Sequence, residues 1–247
     1  MKIIISPAKK MNTDTDSFSF IDYPIFLNRT EELLSILKTM SYEQLKNLWK
    51  CNDNIANLNY ERLNKMDLRK NLTPAIIAYE GIQYQYMAPS VFTEKQLEYV
   101  QQSLRIISGF YGVLKPFDGV TPYRLEMQAK LKTDNFSNLY KFWKDDIYKE
   151  ITSNDRTIIN LASKEYSKCI TDYIREDVDF ITCSFAEFSK GRLAEKGTFC
   201  KMARGEMVRF MAENNIENPE EIKAFDRLGY KFSENHSDKN TYVFIKE

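Results

Sequence analysis

Ser6 and Lys9 stand in the run Ile5-Ser6-Pro7-Ala8-Lys9, directly after the β-branched stretch near the start of the chain. Open α/β sheets place ligand groups at strand ends, so this hydroxyl and ammonium could hold a phosphate or carboxylate. Pro7 and Ser6 would equally suit a plain turn. A second motif, Leu104 to Pro116, carries Arg105, then Gly109 and Gly112 on either side of Phe110-Tyr111, then Lys115. A glycine turn exposes backbone N–H groups that hold phosphate without reading sequence. The alternative is a helix end with both aromatic rings in the core. In Pro122-Tyr123-Arg124-Leu125-Glu126-Met127, Arg124 and Glu126 could pair with each other or face a ligand. A strand would put both on one side. Asn160 closes an apolar run, and Ser163 can cap a helix beginning at Lys164, which makes a ready anion site. Lys201, Arg204 and Val208 share one face of a helix, where Gly205 admits close approach of another backbone.

The elements that must position these residues follow from local chemistry. Lys2–Ile5, Thr157–Leu161 and Val178–Phe188 read as buried strands. A turn is expected at Ser189-Lys190-Gly191, followed by a partner strand running through Cys200. Met202–Asn214 reads as a helix, and Tyr230–Ser233 with Thr241–Ile245 as a closing pair of strands. Asn12–Tyr23 is polar and turn-rich, which predicts a loop. Helix starts are expected at Ser41 with Gln44, at Thr93 with Gln96, and at Asn218 with Pro219 and Glu221, where side-chain acceptors meet unpaired N–H groups. Leu97, Val100, Leu104 and Ile107 share one helical face, so the second of these helices is expected to run to Gly109. Strands and helices alternate without a Gly/Ser/Pro-rich linker or a repeat. One mixed α/β domain over residues 1–247 is therefore expected.

Composition narrows the function classes. Of 247 residues, 43% are hydrophobic and 28% charged, so the chain is an ordinary globular protein that needs no disulfide staple. No run approaches the roughly 20 apolar residues of a membrane span. Met1–Ile5 is too short for a signal peptide's apolar region of about 7–15 residues. A cytoplasmic protein without membrane contact is expected. Cys51, Cys169, Cys183 and Cys200 are irregularly spaced and read as reduced thiols, with no zinc-type pair. His236, the single histidine, lies in a polar cluster. Histidine-based catalysis and two-histidine metal sites are therefore excluded, and no metal or cofactor is expected. Net charge is zero, so a polyanion surface would require local segregation of charge. Leu104–Lys132 holds five basic and two acidic residues, and Lys190–Phe210 six and two. The N-terminal lysines 2, 9 and 10 precede the first acid, Asp14.

Taken in order, the motifs resemble the YaaA peroxide-stress protein family. That family also carries ISPAK at its start, an L-R-x-x-S-G-x-Y-G-x-L-[RK]-P-x-D block, PYRLEM, Leu-Tyr-x-Phe-Trp (here Leu139–Trp143), INLAS-x-E-Tyr and A-R-G-x-M-x-R. The match runs from Met1 to about Phe244. The resemblance implies a bacterial cytosolic protein of the oxidative-stress response that binds DNA in recombination and repair. It also implies an unusual single-domain α/β fold with a positive cleft and a helix-hairpin-helix element.

Two classes of function stay open. In the first, Ser6, Lys9, Arg105, Gly109, Gly112, Lys115, Arg124, Asn160, Ser163, Lys201 and Arg204 bind the phosphates of duplex or branched DNA, in a protein expected to be a monomer. In the second, an enzyme acts on a small phosphorylated or nucleotide ligand. There Glu126 or Glu165 is the acid/base, and Lys9 or Arg204 clamps the anion. A carboxylate pair inside the cationic site favours the enzyme, because acids there repel DNA phosphates; acids confined to the rim favour DNA.

Overall fold

The computed structural model describes residues 1–189 and 191–246. In chain order the elements are β1 (Lys2–Ile5), β2 (Lys10–Met11), α1 (Leu27–Lys38), α2 (Tyr42–Trp49), α3 (Asp53–Lys65), β3 (Thr73–Pro74), α4 (Ala75–Ala78), β4 (Tyr79–Glu80) and α5 (Ile82–Met87). Next come α6 (Glu94–Ser103), β5 (Leu104–Ser108), β6 (Gly112–Leu114), β7 (Gly119–Val120), α7 (Leu139–Trp143), α8 (Asp146–Thr152), β8 (Thr157–Leu161) and α9 (Lys164–Thr171). β9 (Asp179–Ser189), β10 (Arg192–Ala194), α10 (Gly197–Glu213), β11 (Tyr230–Phe232) and β12 (Thr241–Lys246) complete the chain.

The main sheet runs β11-β12-β9-β8-β1-β5-β6, with β10 paired to β9. Its centre, β12-β9-β8-β1-β5, is parallel. The flanking pairs β11–β12, β5–β6 and β9–β10 are antiparallel. Central parallel strands are covered on both faces, so they read as unbroken apolar runs rather than alternating ones. Ile3, Ile4 and Ile5 of β1 and Ile158 and Ile159 of β8 are accordingly fully buried. One hydrophobic cluster links the sheet to the helices on its faces. This is a mixed α/β fold in one compact domain. Among the described residues no helix is long and apolar enough to cross a membrane.

Strand order fixes where a ligand would sit. From β1 the chain moves to β5 on one side; from β8, paired with β1 in the register Ile5↔Leu161, it moves to β9 on the other side. The carboxyl ends of β1 and β8 therefore splay their following segments apart. In open α/β sheets this reversal is the place where ligands bind.

Several sequence expectations need correction. The helix capped by Thr93 and Gln96 stops at Ser103, and Leu104–Ser108 is a strand. Apolar residues at positions 104, 106 and 107 satisfy helical spacing by chance, because both faces of β5 are buried. Pairing with Ile3, Ile4 and Ile5 of β1 decides the conformation. The glycine motif then closes an antiparallel β-hairpin, with Ser108 opposite Gly112, in place of a helix-hairpin-helix. The strand expected through Cys200 ends at Ala194, and Cys200 lies in α10. Part of the turn expected at Ser189-Lys190-Gly191 lies outside the described residues, at Lys190. The caps at Ser41 and Thr93 form as reciprocal boxes. The cap at Asn218 opens a short 3-10 turn, Pro219–Ala224, rather than an α-helix.

Candidate functional site

Ser6 follows β1 immediately, and Ser163 precedes α9 at the end of β8. Parallel pairing of the two strands brings them together. The Ser163 backbone N–H donates to Ser6 Oγ at 2.9 Å, and Ser6 Oγ donates to Ser163 Oγ at 3.3 Å. Ser163 has the extended backbone of an N-cap, yet its hydroxyl makes no capping hydrogen bond. Tyr84 on α5 donates its hydroxyl to the Ser6 carbonyl at 3.0 Å and so ties that helix to the strand end. Asn160 braces the turn from β8 into α9. Its Oδ1 accepts from Ala162 N at 3.0 Å, and its Nδ2 donates to Thr182 Oγ1 on β9 at 3.2 Å.

A cavity of about 410 Å³ opens at this point, within the range of small-ligand sites, about 300–1,000 Å³. Ser6, Lys9, Lys10 and Ser163 line it from the sheet edge, Glu80 to Tyr84 from α5 and the residues before it, Glu165 and Tyr166 from α9, and Lys201 and Arg204 from α10. Of its four cations, Lys10 pairs with Glu80 at 2.5 Å and Lys9 with Glu126 at 2.8 Å. Lys201 and Arg204 form no ion pair among the described residues. Arg204 Nε and Gln83 Nε2 are buried without a hydrogen-bond partner. Both contribute to the wall, and α5 and α10 are pressed together here. A Cβ on Gly205 would collide with the Gln83 carbonyl oxygen, so only glycine permits the approach.

Glu126 also meets Arg124, at 3.4 Å, which makes it the bridge between Lys9 and a guanidinium only 11% exposed. The Pro122–Met127 segment is not a strand, but it is extended enough to alternate: Tyr123, Leu125 and Met127 are buried, while Arg124 and Glu126 face the other way. Gly109 holds this segment down, since a Cβ there would stand 2.5 Å from the Leu125 carbonyl oxygen. Glu165 Oε1 accepts from Gln128 N at 3.1 Å. Burial raises the Glu165 carboxyl above its ordinary value and the nearby Glu126 charge adds to this, while the Gln128 N–H opposes both.

Other candidates lie elsewhere. Gly109, Phe110, Tyr111 and Gly112 are buried. The Phe110 and Tyr111 N–H groups donate to Ser108 Oγ at 3.1 and 2.9 Å, so they are not offered to a ligand. Arg105 is 8% exposed and donates to the Leu104 carbonyl at 2.7 Å. With Lys115 it lines a separate cavity of about 270 Å³ that also holds Asp22, Asp118 and Glu150. Its three carboxylates outnumber its two cations. The structure therefore brings together Ser6, Lys9, Ser163, Glu165, Lys201 and Arg204, with Arg124, Glu126 and Asn160 in support. It leaves Arg105, Gly109, Gly112 and Lys115 away from them. Sequence reasoning missed Glu80, Gln83, Tyr84 and Tyr166. Glu80, Gln83 and Tyr84 lie in a short helix and its lead-in, outside any chemistry-bearing motif, and only the proximity of α10 to α5 reveals them.

A family model described as "Peroxide stress protein YaaA" matches residues 1–236. The chain belongs to the YaaA family. Similar proteins include a UPF0246 protein of Agathobacter rectalis, 58% identical over 247 residues, covering all of this chain and 99% of the relative. UPF0246 proteins of Desulfitobacterium hafniense and Pediococcus pentosaceus are 57% and 54% identical, each covering all of this chain and 98% of the relative. The family description names the peroxide stress response and no ligand. In this YaaA family member the ISPAK, INLAS-x-E-Tyr and A-R-G-x-M-x-R motifs are the three that meet at the cavity.

Proposed function

We propose that this protein serves the peroxide stress response in the cytoplasm by binding a small phosphorylated ligand of nucleotide size in the switch-point cavity, with Glu165 as acid/base. The observation that carries the reading is the convergence of Lys201 and Arg204, two cations without ion pairs among the described residues, on the cavity that Ser6 and Ser163 line at the start of α9. Unpaired N–H groups and the helix dipole favour an anion at such a helix start. Carboxylates lie inside the cationic site rather than only at its rim, which suits a compact ligand better than a polyanion. The three buried thiols give little support to direct reaction with peroxide: burial pushes Cys169 and Cys183 up to about 12 and raises Cys200 as well. A thiol held protonated is a poor nucleophile.

DNA binding is the second reading. It is favoured by Lys9, Lys10 and Lys201, all exposed at the mouth of the cavity, and by four cations against two carboxylates in the lining. One test separates the two. Calorimetric titration with nucleotides should show saturable binding that a Lys201→Ala, Arg204→Ala double variant weakens at least tenfold. A mobility shift on duplex and branched DNA should meanwhile show weak binding. Tight DNA binding whose logarithm falls against log salt by about 0.9 per phosphate contacted would select the second reading. No binding of either class would remove both.

A further inference from the structure

The cavity lining mixes two kinds of group: the hydroxyls and cations of Ser6, Ser163, Lys201 and Arg204, and the amide and aromatic rings of Gln83 and Tyr84 on α5 and Tyr166 on α9. Gln83 is 7% exposed, and its Nε2 has no hydrogen-bond partner. A buried amide donor without an acceptor is destabilising, and folded proteins leave few such groups unmatched. Tyr84 and Tyr166 are 4% and 7% exposed and add aromatic side chains to the lining. A phosphate would satisfy the amide donor but gives the two tyrosines beside it no role. A flat ring bearing a hydrogen-bond acceptor accounts for both features.

We infer that the ligand is a nucleoside monophosphate whose base lies against Gln83, Tyr84 and Tyr166 and accepts a hydrogen bond from Gln83, while its phosphate lies against Ser6, Ser163, Lys201 and Arg204. The inference rests on the phosphate reading above and adds the class of the remainder of the ligand. Gln83 is a specificity residue here, not a catalytic one. Its position depends on the close approach of Gly205 to the Gln83 backbone, which sets the amide and the Arg204 guanidinium on neighbouring walls. A ligand of this class would reach both sets of residues in a cavity of about 410 Å³, whereas a bare phosphate would engage only one set.

The test compares inorganic phosphate, ribose 5-phosphate and a panel of purine and pyrimidine nucleoside 5′-monophosphates by calorimetry. The proteins are the full-length chain and its Gln83→Leu and Gln83→Met variants, with thermal melts to establish that each is folded. At least one monophosphate should bind about tenfold more tightly than ribose 5-phosphate, which carries the same phosphate and sugar without a base. Both variants should erase that margin while leaving the affinities for ribose 5-phosphate and phosphate unchanged. Equal affinity of all monophosphates and ribose 5-phosphate for the unmodified chain would overturn the assignment of a base and leave the phosphate reading standing. So would a margin that survives in folded variants. Failure of every probe, phosphate included, would remove both.

Discussion

Glu165 shows how one residue's surroundings shape the behaviour of the whole cavity. Its carboxyl is raised by burial and by the neighbouring Glu126 charge, and Lys9 and the Gln128 N–H only partly offset this. A protonated Glu165 leaves the cavity one charge more positive. Anion affinity should therefore be higher below the raised value and fall as pH rises through it. Comparing the unmodified chain with Glu165→Gln at each pH cancels the ligand's own ionisation. The variant should bind as well as the unmodified chain at low pH and more tightly at high pH. Parallel curves across the range would show that Glu165 does not face the ligand. Ser6, Lys9, Ser163, Lys201 and Arg204 were legible in the sequence as anion-binding types at strand and helix ends. Gln83 was not, because an amide in a tyrosine-rich stretch has no local signature. What marks it is a missing partner, and partners are tertiary facts.

At the scale of elements, the β5–β6 hairpin and the turn beyond it explain which candidates lie elsewhere. Leu104 to Ile107 carries apolar residues at both helical and strand spacing, and pairing with β1 resolves the ambiguity. No local rule could have done so, since a strand buried on both faces has no alternation to read. Once β5 is a strand, the glycine motif becomes structural. Gly109 packs under the Leu125–Met127 backbone, and Trp143 donates its indole N–H to the Gly109 carbonyl at 3.0 Å. The turn after β6 is held by Asp118, whose Oδ2 accepts from Lys115 N at 2.9 Å. Burial pushes the Asp118 carboxyl up to about 7, from 3.8, despite that bond. Because the folded value lies above the unfolded one, its contribution to stability is full below about pH 4. That contribution is lost as pH rises to about 7. Asp118→Asn keeps an acceptor for Lys115 and removes the buried charge. It should raise stability at pH 8 by up to about 4 kcal/mol, at 1.36 kcal/mol per pH unit, and have little effect at pH 4. Denaturant midpoints at the two pH values check this. An equal shift at both would mean that Asp118 titrates normally.

At the scale of the molecule, the sequence reading captured the mixed α/β class, the β1, β8 and β9 strands and the closing β11–β12 pair. It could not supply strand order, and strand order locates the site. The parallel pairing of β1 and β8 makes neighbours of Ser6 and Ser163, which are 157 positions apart. It also leaves room for α10 to bring Lys201 and Arg204 alongside. The charge segregation seen along the chain divides accordingly. Lys9 and Lys10 meet Lys201 and Arg204 at one cavity, while Arg105 and Lys115 join the carboxylates of another. A neutral protein thus gains a local cationic site.

The central claim is that a phosphate group binds at the carboxyl ends of β1 and β8. Amide chemical-shift mapping during a titration with inorganic phosphate tests it most directly. Saturating shifts confined to Ser6, Ser163–Glu165 and Lys201–Arg204 are the predicted result, and Arg204→Ala should abolish them. Shifts centred on Arg105 to Lys115, or a weak response spread over surface lysines without saturation, would contradict the account.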